Sequence, residues 1–148
     1  PDLGELLEDI KEIDGHMAVM LGDIDDFKDV NDNNGHAIGD QVLKLVAHSF
    51  VTNLKKGDFV ARWGGDEFAA ILPKISAKDA TTVAHRVRDT ISSKTIRKKN
   101  SGETLGKISL SFGITTHKKD DTIDSLIERA DKAMYQAKHS GKNQVSTD

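Results

Sequence analysis

Apolar residues along this chain fall into two patterns, which predict two kinds of element. Short apolar runs predict strands at residues 16–21, 58–61, 69–72 and 106–115, with a final short strand near Val145. Apolar residues three and four positions apart predict helices at residues 1–12, 37–54, 76–95 and 123–139. Residues 27–34 are polar and rich in Asn and Asp, so they predict only one or two helical turns.

The order of these elements predicts the fold class. Helices that alternate with strands, together with one hairpin, indicate an α+β fold with helices packed on a largely antiparallel sheet. The ferredoxin-like βαββαβ arrangement matches this order, with one extra helix after the first strand. At 148 residues, the chain is expected to form a single domain over residues 1–148.

The predicted hairpin carries unusual chemistry. Gly64 and Gly65 lie between its two apolar runs, which indicates a tight turn with positive φ. Asp66 and Glu67 follow where the returning strand is expected to begin, with side chains on opposite faces. Because glycine has no side chain, an anionic ligand can lie against the turn backbone. The alternative is an ordinary solvated acidic turn.

A second acidic cluster follows the first predicted strand. Asp23 adjoins the apolar run, whereas Asp25 and Asp26 are interpreted as residues of a solvated turn. If the hairpin pairs beside this strand, Asp23 and Asp66 converge. Two such carboxylates suit a hard divalent cation, which prefers oxygen ligands.

Four segments resemble, in order, the signatures of GGDEF domains, the diguanylate cyclases. They are Asp23-Ile24-Asp25-x-Phe27-Lys28 continuing through Asn31-Asp32, Gly35-His36 and Gly39-Asp40; Arg62-Trp63-Gly64-Gly65-Asp66-Glu67-Phe68; Ser109-Leu110-Ser111-Phe112-Gly113-Ile114; and Ala130-Asp131-x-Ala133-Met134-Tyr135 continuing through Ala137-Lys138 and Gly141-Lys142-Asn143. Four motifs in the family's order make this resemblance specific. It implies a palm-type, nucleotide-cyclase-like fold with metals at the sheet edge.

The resemblance also implies a reaction in bacterial second-messenger signalling. Two GTP molecules would be condensed into cyclic di-GMP, with release of two pyrophosphates and with two Mg²⁺ or Mn²⁺ ions per active site. Asp23, Asp66 and the carbonyl of Ile24 match the family's metal ligands. Glu67 matches a second-metal ligand or a helper in deprotonation, and the choice of base between Asp66 and Glu67 stays open. Arg62 is expected to steady the transition state or to pair with an acidic neighbour.

Substrate-binding positions follow from the same resemblance. Asn31 and Asp40 match guanine-binding residues, because a carboxylate accepts from guanine N1 and N2 while an amide bonds the same edge. The alternative for Asp40 is a helix cap near Gly39. Further expected contacts to GTP are His36 and Leu43 beside the base, and Asp26, Phe27, Lys28, Gly64, Gly65, Lys138 and Lys142 near the phosphates. Lys142 stands where the family usually has Arg, so the charge is kept and the planar fork is lost.

A regulatory site is also implied, with one departure. Family members often carry Arg-x-x-Asp shortly before the Gly-Gly turn, where it binds the product. Lys55 and Asp58 occupy these positions here, and Arg86 is a possible second contact. Because Lys replaces Arg, weak product feedback is expected.

Composition narrows the alternatives. The net charge of −3 lacks the basic excess of a nucleic-acid binder, which disfavours a palm-fold transferase acting on nucleic acid. The absence of cysteine suits a reducing cytoplasm, and no run of about 20 apolar residues predicts a membrane span. The family's usual Asp-x-Leu-Thr-Gly-Leu segment is missing upstream. The chain is therefore expected to be part of a longer protein that acts as a transient homodimer and whose full length could carry a membrane anchor. The other alternative is a degenerate domain that only binds GTP or cyclic di-GMP.

Overall fold

A computed structural model describes residues 17–94, 96–97 and 101–148, which contain five strands and four helices. The strands are β1 (Met17–Ile24), β2 (Phe59–Arg62), β3 (Glu67–Pro73), β4 (Leu110–Thr116) and β5 (Val145–Thr147). The helices are α1 (Phe27–Asn34), α2 (His36–Asn53), α3 (Ala77–Ser92) and α4 (Ile123–His139). The helix predicted for residues 1–12 lies outside the described residues.

The strands form one sheet in the order β2-β3-β1-β4-β5. β1 pairs antiparallel with both β3 and β4, and β2 pairs antiparallel with β3. Only the short β5 pairs parallel, with β4. The α+β prediction is therefore confirmed, including the ferredoxin-like core, the extra helix after the first strand and the final strand near Val145.

Both faces of the sheet are covered, because the residues of β1 alternate between two apolar clusters. On one face, Met20 packs in a cluster with residues of α2 and α3, and Phe50 of α2 stacks on Phe68 of β3 with ring centroids 5.6 Å apart. On the other face, Val19 and Leu21 pack in a cluster with residues of α4. β1 is thus the buried centre of the domain.

Several element boundaries differ from the prediction. β1 ends at Ile24 instead of residue 21, and β3 begins at Glu67 instead of residue 69. β4 begins at Leu110 instead of residue 106, because its strand pairing with β1 ends where Leu110 lies opposite Ile24, the last residue of β1. Beyond that pair, the Asp25 N–H donates to the Ser109 carbonyl at 2.9 Å. α3 ends at Ser92 instead of residue 95, whereas its predicted start is confirmed: the Ser76 hydroxyl accepts a hydrogen bond from the Asp79 N–H at 3.1 Å.

The backbone of α4 packs tightly against Gly113 of β4. A Cβ built there would lie 2.9 Å from Met134 Cα, and closer still to the Ala130 carbonyl oxygen and the Met134 nitrogen. These are backbone atoms, so relief would require α4 to move.

We predict that Gly113→Ala destabilises the domain by about 2–3 kcal/mol through overpacking. Gly106→Ala is the matched control, since a Cβ there meets no described atom within 4 Å and the change should stay within about 0.5 kcal/mol. Urea unfolding of both variants provides the comparison. Equal stabilities would show that α4 is not seated against Gly113.

Candidate active site

The two acidic clusters meet where β1 ends beside the start of β3. Asp23 is the direct cross-strand partner of Glu67, and the Ile24 N–H donates to the Asp66 carbonyl at 3.0 Å. β3 begins at Glu67, so Asp66 belongs to the preceding loop and not to the strand. The predicted convergence of these acidic segments is confirmed, with one carboxylate on the loop and two on paired strands.

The loop at residues 63–66 does not have the predicted turn geometry. Neither Gly64 nor Gly65 has positive φ, so the expectation of a tight turn that requires glycine was wrong. The loop is held instead by Trp63 N–H, which donates to the Glu67 carbonyl at 2.8 Å, and by Arg62, whose Nη2 donates to the Gly65 carbonyl at 2.7 Å. Four residues between the strands leave room for an open loop without left-handed backbone.

Asp23 is the most perturbed carboxylate of this cluster. Its Oδ2 lies 3.1 Å from Lys138 Nζ, while its Oδ1 is buried without a hydrogen-bond partner among the described residues. Burial raises the pKa of Asp23 to about 6, Lys138 opposes that rise, and the nearby Asp66 adds to it. Burial, followed by Asp66 and Asp131, also raises the pKa of Glu67.

Asp25 does not lie in a solvated turn, and that interpretation was wrong. Its side chain is buried and accepts hydrogen bonds from the hydroxyls of Ser109 (2.7 Å) and Ser111 (2.6 Å) and from the Asn143 N–H (3.0 Å). Lys138 Nζ lies 3.8 Å from its Oδ1. Asp25 therefore joins β1, β4 and the segment after α4 through one carboxylate.

Asp26, by contrast, is exposed as predicted. Its Oδ1 contacts Lys142 Nζ at 2.6 Å, and this hydrogen bond raises the pKa of Lys142. Asp26, Lys142 and Asn143 all have left-handed backbone, with φ of 56°, 63° and 48°. Such conformations persist where surrounding contacts enforce them, and here the Asn143–Asp25 hydrogen bond is one such contact. Both predicted lysines of the α4 end thus face the acidic end of β1.

A cavity of about 390 Å³ opens beside this cluster, between α1, α2 and the loop before β3. It brings together nine of the residues predicted for substrate or catalysis: Phe27, Lys28, Asn31, His36, Asp40, Leu43, Arg62, Gly65 and Asp66. Asp32 is a further lining residue, to which the sequence analysis gave no role. α2 begins at His36, so Asp40 lies beyond its first turn and does not cap the helix.

The remaining predicted residues lie elsewhere. Outside the cavity lining, a second group of predicted residues lies at the neighbouring end of β1 and the start of β3: Asp23, Ile24, Asp26, Gly64, Glu67, Lys138 and Lys142. Lys55, Asp58 and Arg86 line a separate cavity of about 280 Å³ together with Lys74 and Asp79. There the Lys55 N–H donates to Asp58 Oδ2 at 3.0 Å, and Asp58 Oδ1 is buried without a partner among the described residues.

The main residue missed by the sequence analysis is Asp25. A signal was present in the third motif, where Ser109 and Ser111 are two apart and so face the same side of a strand. Two hydroxyls on one side, opposite an acidic strand end, indicate a buried carboxylate partner. That reading requires the pairing of β1 with β4 to be known first.

The fold and the acidic cavity define a nucleotide-cyclase-like α+β domain, and comparisons with known proteins identify its family. The family described as "Diguanylate cyclase, GGDEF domain" matches residues 2–144, and the chain belongs to this family. It is similar to the diguanylate cyclase VdcA of Vibrio cholerae, with 39% identity over 129 residues, 87% of this chain and 38% of VdcA. Diguanylate cyclase DgcM of Escherichia coli is 38% identical over 86% of this chain and 30% of that protein.

Solved structures of GGDEF domains support the same family assignment. The GGDEF domain of DgcB from Caulobacter crescentus, in complex with c-di-GMP, superposes with a TM-score of 0.92 at 34% identity, covering 98% of this chain and 85% of that one. The chain spans well under half of the curated relatives it matches. Within the described part of the chain, no helix has the length and apolar character needed to cross a bilayer.

The raised pKa of Asp23 predicts how the stability of the domain changes with pH. Its folded-state pKa of about 6 exceeds its ordinary value of 3.8, so the folded state holds the proton more tightly. Asp23 therefore lowers the free energy of unfolding as the pH rises from about 4 to about 6, and this loss persists above pH 6. In metal-free buffer, Asp23→Asn should stabilise the domain at pH 7.5 on the order of 1–3 kcal/mol, with the gain disappearing near pH 4.

Urea unfolding across pH measures this effect. Asp120→Asn is the control, because Asp120 is exposed and should show no comparable gain. A less stable Asp23→Asn at pH 7.5 would mean that the Lys138 ion pair outweighs the cost of burial.

Proposed function

We propose that this domain is a diguanylate cyclase, which joins two GTP molecules into cyclic di-GMP and releases two pyrophosphates. The observation that carries the proposal is the shared cavity. Asn31 and Asp40, which we assign to the base, line the same cavity as Asp66, which lies beside the carboxylates of β1 and β3. A purely structural acidic turn would not need a base-reading cavity beside it.

The guanine assignment rests on complementary hydrogen bonding. The Asp40 carboxylate accepts from guanine N1–H and N2–H, and the Asn31 amide bonds the remaining polar atoms of that edge. His36 and Leu43 line the same cavity and flank the base. Lys28 lies in that lining too, and Lys138 and Lys142 approach from the end of α4, so the cations surround the place expected for the phosphates.

The residues at the end of β1 fit a divalent cation. Asp23 Oδ1 is a buried carboxylate oxygen without a partner among the described residues, which is the kind of atom that Mg²⁺ or Mn²⁺ would satisfy. Asp23, Asp66 and the Ile24 carbonyl would hold the ion, with Glu67 as a further ligand for a second one. Within the described residues, no three acidic or imidazole side chains form a complete cluster, so substrate phosphates would supply further ligands. When bound, such ions activate the attacking hydroxyl and neutralise charge on the leaving pyrophosphate.

The chain's own groups support proton removal and charge stabilisation. Glu67, whose pKa is raised, is suited to accept a proton from the 3′-hydroxyl of one GTP. The oxygen of that hydroxyl then bonds to the α-phosphorus of the other GTP. The P–O bond to pyrophosphate breaks in the same displacement. Arg62 holds the carbonyls of Gly64 and Gly65, so it fixes the loop that carries Asp66. Each domain binds one GTP, and two domains must face each other.

Incubation of the domain with GTP and Mg²⁺, with chromatographic detection of cyclic di-GMP, tests this function. We predict product formation with a specific activity that rises with protein concentration, because two loaded domains must meet. A flat specific activity from a monomer would contradict the two-domain mechanism. Tight GTP binding without turnover would indicate a degenerate binding module instead.

Asp66→Ala should lower turnover by a hundredfold or more while the melting temperature changes little, since a loop residue carries little packing. Asp120→Ala, at an exposed site, serves as the matched control and should keep full activity. Near-normal turnover in Asp66→Ala would exclude Asp66 from the metal site.

We further propose that the cavity containing Lys55, Asp58 and Arg86 binds the product weakly. A lysine offers a point charge where arginine offers a bidentate fork, and one charge-assisted contact is worth roughly 1.5–3 kcal/mol. Lys55→Arg should therefore tighten cyclic di-GMP binding about ten- to a hundredfold in calorimetry. Tight binding by the parent protein that survives Asp58→Ala would assign the product to another site.

A further inference from the structure

Gly39 occupies an unusual place in α2. It is buried in the second turn of the helix, and its φ is not positive, so its backbone conformation does not demand glycine. Its N–H donates to the Gly35 carbonyl at 3.1 Å, as in a regular helix. Alanine is the better residue inside a helix, so the helix alone gives no reason for glycine here.

The reason lies across the interface with α1. A Cβ built on Gly39 would lie 2.9 Å from Asn31 Cγ and 3.5 Å from its Nδ2, and closest of all to its Oδ1. The three nearest atoms all belong to the Asn31 side chain. The Asn31 carboxamide thus occupies the space that the methyl group of an alanine at position 39 would need.

This contact orients the amide. Asn31 lines the cavity, yet its Oδ1 is buried without a partner among the described residues. The oxygen is therefore directed at α2, and the Nδ2 end is left to face a base. An NH₂ donor matches O6 and N7 of guanine, whereas adenine carries an amino donor in place of O6.

We propose that Gly39 is a specificity-determining positioning residue, which keeps the Asn31 amide turned so that it selects guanine over adenine. The inference rests on the proposed function, because it assigns the cavity to a purine nucleotide. Gly39 itself does not touch the base; it acts through Asn31, while the adjacent Asp40 reads the opposite part of the guanine edge.

The test is a double-mutant cycle read out by binding rather than turnover. Calorimetry with the α,β-methylene analogues of GTP and ATP, which cannot release pyrophosphate, compares the parent, Gly39→Ala, Asn31→Ala and the double variant. Gly39→Ala should lose roughly tenfold in affinity for the guanine analogue and leave the adenine analogue unchanged. Asn31→Ala should do the same, and the double variant should lose no more than either single one. Gly106→Ala, with open space around its Cβ, should bind as the parent does.

Contrary outcomes separate the two levels of the argument. A parent that does not prefer the guanine analogue overturns the proposed function and this inference together. A parent with that preference, combined with unchanged binding in Gly39→Ala or with additive losses in the double variant, overturns this inference alone. If Gly39→Ala lowers the melting temperature and the added Asn31→Ala change restores it, the result supports a collision between the new methyl group and the Asn31 side chain. If the double variant keeps the lowered melting temperature, that collision is refuted.

Discussion

The pairing of β1 on both edges controls the rest of this structure. Because β1 lies between β3 and β4, its last residues are flanked by a strand on each side, and Asp23 faces Glu67 in one direction and Ser111 in the other. A strand at the edge of a sheet would leave these carboxylates in water with ordinary properties. At the centre, they are forced together and partly desolvated. The reactive character of the site therefore begins with sheet topology and not with the acidic residues alone.

The three neighbouring aspartates at the end of β1 differ in burial and in how their negative charge is compensated. Asp25 is buried and accepts three hydrogen bonds, so its charge is satisfied by the protein itself. Asp26 is exposed and pairs with Lys142. Asp23 is intermediate, since Lys138 contacts one oxygen and the other remains unsatisfied. Within this stretch, only Asp23 combines burial with an incomplete set of partners, and an incoming cation would stabilise it most.

Local patterns were sufficient to predict most elements and the meeting of the two acidic clusters. They could not predict the burial of Asp25, because its hydroxyl partners Ser109 and Ser111 lie 84 and 86 residues away. The start of β4 was misplaced for a related reason: the strand begins where its partner β1 ends, and residues 106–109, of which only Ile108 is apolar, precede that pairing. Both the burial of Asp25 and the start of β4 depend on long-range strand pairing, which a short stretch of sequence does not reveal.

The glycines of the motifs show why spacing alone does not reveal a residue's purpose. Gly35 has φ of 85° and serves the junction between α1 and α2, whereas Gly113 admits the backbone of α4 and Gly39 admits the Asn31 side chain. Gly65 meets none of these needs: its φ is ordinary, and a Cβ there would contact no described atom within 4 Å. A glycine that neither backbone conformation nor internal packing requires, at the rim of the cavity, is best explained by what must approach it from outside. A phosphorylated substrate that lies directly against the loop would impose that requirement.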